Sequence, residues 1–152
     1  VVLAGTKLAE YCAAGVYPLL SQEEVLDYCA DALCRCRNAG VRVIRMGLHD
    51  TPSLRQNMVA GYFHPAYGEL AESRLYFRQL KRAAADCGKP ELFVETAPRT
   101  LSKVLGQHGC NRQALAKQGV TLQVAEHAAV SVGTLRANGK AYIIDTERNE
   151  LR

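Results

Sequence analysis

"VLGQHGCNRQAL", residues 104–115, decides how this chain is read. Gly106 and Gly109 stand three apart, with Gln107 and His108 between them. Apolar residues at helical spacing run into the first glycine and resume after the second. The plain reading of such a break is a glycine-capped helix followed by another helix. The functional reading is a loop stripped of side-chain bulk so that a nucleic-acid backbone can lie against it. The neighbouring segments bear on the choice.

Working outward, "ELFVET" (91–96) alternates Leu92 and Val94 with polar residues and reads as a strand. Pro98 opens a short helix, "RTLSKVLG", and after the glycine loop "CNRQALAKQG" forms a second one closed by Gly119. "VTLQVAEH" is a strand with Val120, Leu122 and Val124 on one face, and "AVSVGTLR" and "KAYIID" flank an Asn138-Gly139 hairpin signal. The order is strand, helix, loop, helix, strand, strand. The polar tail, "TERNELR", is expected to fray. Upstream, Ala66, Leu70, Ser73, Phe77, Leu80 and Ala84 place a helix from Pro65 to Cys87-Gly88, with Pro at its first turn. Residues 49–65, with two prolines and a glycine, read as a long connection.

The first residues, "VVLAG", read as a buried strand, and "TKLAEYCAAG" as a short helix closed by Gly15. Ser21 and Glu24 make a capping box. Val25, Cys29, Ala32, Leu33 and Cys36 form the stripe of the helix behind it, which Gly40 ends, and "VRVIRMGL" (41–48) reads as a strand. Strand, helix and strand of these lengths predict a βαβ unit with parallel pairing. The apolar faces of 1–3 and 41–48 then need cover, from the helix at 65–86 or from a second copy of the chain, a homodimer.

The chain has 152 residues and a net charge of +4, which permits a nucleic-acid partner without requiring one. Placement says more: Arg99, Lys103, Arg112 and Lys117 lie between 99 and 119 with no Asp or Glu. No apolar run reaches membrane-spanning length and no signal peptide is visible. The opening Val, inside a strand pattern, leads to the expectation that the chain is a fragment of a larger protein. Of the six cysteines, Cys29, Cys34 and Cys36 are spaced C-x4-C-x-C, which is not a zinc spacing. The expectation is reduced packing thiols in a cytoplasmic protein, with no metal site.

"LSKVLGQHGCNRQALAKQGVTLQV", with its element order, resembles the KH domain, a single-strand and RNA-binding module, over about residues 90–145. The resemblance implies a backbone clamp made by Lys103, Gly106, Gln107, His108, Gly109, Cys110, Arg112 and Lys117. In that clamp the amides near Gly109 and Cys110 point at phosphates. Where KH domains carry Ile in the base groove this chain has Arg112, a departure that bears on base recognition more than on backbone binding. "VVLAGTKLAEYCAAGVYPLLSQEEVLDYCADAL", followed by "VRVIRMGL" and "GYFHPAYGELAES", is similar to the last part of radical S-adenosylmethionine proteins. The bacterial relatives of the Elongator catalytic subunit are the nearest in pattern. That resemblance implies S-adenosylmethionine, a [4Fe–4S] cluster and chemistry on tRNA in the full-length enzyme. The C-x3-C-x2-C cluster motif is absent here, so this piece is not expected to be catalytic alone.

The expected class is therefore α/β, becoming α+β toward the C-terminus. The end of a partial (β/α) barrel occupies 1–49, a connection and helix 50–88, and a KH-like β-α-α-β-β unit 89–152. The expected role is to bind RNA, as tRNA, for the enzyme's own N-terminal radical domain. The rival is a structural, substrate-capping or subunit-contact domain of a coproporphyrinogen oxidase-like enzyme acting on a small molecule. His49, Tyr62 and His64 are candidates for an active-site mouth. The rival reading of His64 is a cap on the following helix, and His127 reads as structural.

Overall fold

A computed structural model describes residues 1–145; the polar tail lies outside the described residues. In chain order the elements are β1 (Val2–Leu3), α1 (Lys7–Ala13), α2 (Gln22–Asn38), α3 (Pro52–Asn57), β2 (Met58–Ala60) and α4 (Tyr67–Cys87). Then come β3 (Glu91–Thr96), α5 (Leu101–Leu105), a single 3-10 turn (Gln107–Gly109), α6 (Cys110–Ala116), β4 (Thr121–Glu126), β5 (Thr134–Ala137) and β6 (Lys140–Ile143). The mixed α/β class holds.

Local chemistry sets several of these boundaries. Ser21 Oγ accepts the Glu24 N–H at 3.3 Å, while Glu24 accepts the Ser21 N–H at 2.7 Å, so the expected capping box starts α2. Gly88, left-handed at φ +62°, ends α4 as the sequence requires. Asn138 and Gly139 both take positive φ, the condition for the tight hairpin between β5 and β6. Pro65 and Pro98 stand ahead of their helices rather than inside them: α4 begins at Tyr67 and α5 at Leu101.

The N-terminal expectations need correction. Residues 41–48 form no strand, and β1 pairs antiparallel with β2, which arises inside the expected connection together with α3. A strand needs a partner strand for its amides, and among the described residues 41–48 joins neither sheet. Instead the Arg45 guanidinium donates to the carbonyls of Gly47 (3.2 Å) and Leu48 (2.9 Å), groups that a ladder would use. Val43 and Met46 pack on the core, whereas Ile44 is 87% exposed. The α2 stripe is also turned: Leu26, Ala30, Leu33 and Cys34 are buried, and Ala32 is exposed. Charge turns it. Asp27 and Asp31 face Arg78 of α4, with Asp27 at 2.8 Å, and Glu23 pairs with Arg74.

The larger sheet runs β4-β3-β5-β6. β3 and β4 are parallel over six pairs, from Glu91 against Thr121 to Thr96 against Glu126. Parallel neighbours need a long crossover, and α5, the glycine turn and α6 supply it. β5 lies antiparallel on the other edge of β3. Helix α4 is the central layer. Its Leu75, Tyr76 and Leu80 are fully buried in one apolar cluster with Ala30 and Leu33 of α2 and with Leu92, Val94, Leu122, Leu135 and Tyr142 of the sheet. Val104 and Leu115 anchor α5 and α6 in the same cluster. Each such side chain contributes roughly 1.5–3 kcal/mol on burial.

A candidate nucleic-acid interface and the cleft beside it

The two glycines do different work. Gly106 is buried, with φ +77° and ψ 163°, a conformation essentially reserved for glycine. A Cβ there would meet Cys110 Sγ at 2.5 Å and Asn111 Cγ at 2.9 Å. Its small size thus lets α5 close onto α6. Gly109, at φ +73°, has nothing within 4 Å of a built Cβ and faces open space. Between them Gln107 and His108 are exposed, and His108 itself is left-handed at φ 53°.

The amides that a clamp would aim at phosphates are committed elsewhere. Gly109 N–H donates to Gly106 O at 2.9 Å, and Cys110 N–H donates to Gln107 O. This corrects the expectation that the Gly109 and Cys110 amides point at a ligand: a 3-10 turn closes on itself before α6 begins. The loop is braced from behind. Gln113 Nε2 donates to His108 O at 3.1 Å. Asn111, only 6% exposed, donates to Val104 O and Ser73 Oγ, each at 3.0 Å, tying α6 to α5 and α4.

The charge expectation also changes. Glu72 of α4 takes Lys103 at 2.7 Å on one oxygen and Arg37 at 3.1 Å on the other, so Lys103 is not free beside the loop. Sequence distance hid this, since Glu72 lies 31 positions upstream. Arg99, Arg112 and Lys117 form no ion pair with any described residue and are exposed. Cys110 is exposed as well.

A cleft of about 230 Å³ joins two groups that the sequence leaves apart. One wall comes from His64, Glu69, Leu70 and Ser73 around the start of α4, the other from Ser102, Lys103 and the loop 106–108. His64 Nδ1 accepts the Ala66 N–H at 3.1 Å, in the approach to α4; the N-cap of that helix, Ala66, has no side-chain cap bond, so the capping expectation for His64 is corrected to a bond ahead of the first turn, and His64 also lines the cleft. His49 and Tyr62 do not line it. His127 accepts the Ala129 N–H at 3.2 Å and stabilises a turn, the structural part expected of it. Sequence reading missed Glu69, Ser73, Ser102 and Asn111. Ser73 sits on the apolar stripe of α4, and that misplaced hydroxyl was the available signal.

A family model described as the Radical_SAM C-terminal domain matches residues 1–76, half of the 152. The chain belongs to that family. The cleft therefore lies where the Radical_SAM C-terminal domain meets the glycine-loop unit: His64 to Ser73 fall within the matched residues and Ser102 to His108 beyond them. No curated protein and no solved structure compared with the chain matches it. The family implies S-adenosylmethionine and a [4Fe–4S] cluster in the enzyme. This chain's cysteines do not fit a cluster. Cys34 is buried in the apolar core, burial pushes the Cys29 thiol up, and among the described residues no group of three or more His, Cys, Asp or Glu is placed to hold a metal. No helix of the described residues is long and apolar enough to cross a membrane.

Proposed function

We propose that the chain is the C-terminal segment of a cytoplasmic radical S-adenosylmethionine enzyme of the Elongator-like bacterial group. Its KH-like unit presents RNA, in the form of tRNA, to the catalytic domain. One observation carries the reading. The exposed Gln107-His108 tip belongs to a crossover free of acidic residues from 97 to 125, whose Arg99, Arg112 and Lys117 side chains make no ion pair with any described residue; the Glu126 carboxylate accepts the Arg99 backbone N–H at 2.8 Å. Unpaired cations around an open loop suit a polyanion. With the Gly109 and Cys110 amides committed to the turn, side chains rather than amides carry the phosphate contacts. The N-terminal apolar residues Val16, Leu20, Val41, Ile44 and Val59 are each exposed, and we assign them to the contact with the enzyme's own radical domain.

Replacing Gln107 and His108 with Asp tests this. Asp tolerates the left-handed geometry of position 108, so the fold is retained while two negative charges face the phosphates. Single-stranded RNA and tRNA binding should weaken about tenfold or more if each repulsion costs on the order of 1 kcal/mol. Wild-type affinity should fall steeply with salt. Equal binding by a folded double variant would sink the reading.

The second reading is a capping domain of an enzyme acting on a small molecule. It is favoured by Gly106, whose size serves packing, and by Lys103, which Glu72 neutralises. A salt-independent, RNA-indifferent chain would establish it.

A further inference from the structure

Resting on the RNA reading, we propose that the cleft between α4 and α5 holds one unstacked nucleobase of the bound strand. Its size fits one ring system. About 230 Å³ lies below the roughly 300–1,000 Å³ of pockets that enclose whole ligands. Its charge excludes the phosphate itself, because the one cation in the wall, Lys103, is neutralised by Glu72, and Glu69 adds a negative charge. A neutral heterocycle with donors and acceptors on its edge suits the rest. His64 accepts the Ala66 N–H through Nδ1, so its neutral ring carries the proton on Nε2 and is a donor there. The Gln107 amide and the Ser102 hydroxyl can each donate or accept, and Glu69 accepts. Ala66 and Leu70 supply apolar surface for a ring face.

Two further observations place the strand. His108 keeps a left-handed backbone although it is not glycine, a strained state that persists where the surroundings over-determine it. Here Gln113 holds its carbonyl, and His108 lines the cleft. The loop that carries the exposed tip also forms one wall of the cleft, so a strand crossing the tip passes the cleft within a nucleotide or so. Phosphates then lie along the crossover, with one base turned in between α4 and α5. The cleft draws on both the matched family residues and the glycine-loop unit, so base capture needs the two together.

The test uses the full chain with short single-stranded RNAs in which each nucleotide in turn is made abasic. Ser102→Trp fills the cleft from an exposed position and leaves the loop and its cations intact. In the wild type, one abasic position should weaken binding about tenfold, the scale of a single base contact, and the other positions should change it little. In the Ser102→Trp variant, intact and abasic strands should bind alike, with an affinity near that of the wild type for the weakest abasic strand. Circular dichroism and the urea midpoint confirm that the variant is folded. Binding with a flat abasic scan overturns the cleft assignment and leaves the RNA reading standing. Absence of binding to any strand or to tRNA overturns both. A position-specific penalty that survives in Ser102→Trp puts the base elsewhere and overturns the assignment too.

Discussion

Asn111→Ala removes a side chain that bonds α6 to both α5 and α4. Its amide donates to Val104 O and to Ser73 Oγ at 3.0 Å, in a place where Asn111 is 6% exposed and Val104 is fully buried. Truncation strands a buried carbonyl and a buried hydroxyl, at about 1–3 kcal/mol per unsatisfied group. The serine hydroxyl can rotate to another partner, so the carbonyl dominates and the expected loss is about 3 kcal/mol. For a chain of this size that corresponds to roughly 6–12 °C in Tm, at about 2–4 °C per kcal/mol. Asn111→Asp should be at least as damaging, because it replaces the donor with a carboxylate facing the same carbonyl. Urea unfolding followed by circular dichroism measures both, with a constant slope certifying that stability alone has changed. Amide exchange of Gly109 and Cys110 should accelerate as well, since Asn111 holds the turn in place. A loss under about 1 kcal/mol with an unchanged slope would refute the view that one buried amide fixes the loop.

Gly106→Ala should destabilise by about 2–4 kcal/mol, combining a glycine-only backbone region with overpacking against Cys110 and Asn111. Gly109→Ala should cost only about 1 kcal/mol of left-handed strain, and equal losses in thermal melts would contradict the division of labour between the glycines. Lys140 and then Tyr142, both hydrogen-bonded to Asp86, hold its carboxyl below the usual range. Its stabilisation is therefore complete above the ordinary carboxylate value of about 4, and it is lost as pH falls through the lower folded value. Urea midpoints taken from pH 7 to pH 3 should fall less steeply for Asp86→Asn than for the wild type. Light scattering of the chain alone should show self-association, relieved by Val16→Asp with Ile44→Asp, because large apolar patches rarely stay bare; a wild-type monomer at high concentration would remove the reason for assigning that surface to the radical domain. Iron and sulfide reconstitution should give no stable [4Fe–4S] absorbance, and a strong band lost on mutating Cys29, Cys34 and Cys36 would overturn their reading as packing thiols.

What could be read from sequence depended on how local the cause was. Ser21 with Glu24, Asn138 with Gly139, and the alternation through Leu92 and Val94 are settled within a few residues, and each appears as expected. Strand partners were not legible, because pairing is decided across the chain: residues 41–48 carry β-prone side chains and join neither sheet among the described residues, while Val2 finds Ala60. The α2 stripe was misjudged by a fraction of a turn because hydrophobic spacing is silent about Arg74 and Arg78, which draw Asp27 and Asp31 inward. The candidate site divided the same way. The exposed tip at 107–108 was visible in the motif, but the pairing of Lys103 with Glu72 and the meeting of His64 with Ser102 join positions more than 30 apart.

Helix α4 runs from Tyr67 to Cys87, and the family match ends at Tyr76, near its middle. The inherited module and the folding unit therefore have different borders. A protein engineer who excised the first 76 residues would sever this helix, remove Phe77, Leu80 and Ala83 from one half and take Ala71, Leu75 and Tyr76 from the layer that backs the sheet of the other. Transplanting the module onto another enzyme requires carrying the helix whole, together with whatever the new host must lay against Leu75 and Tyr76.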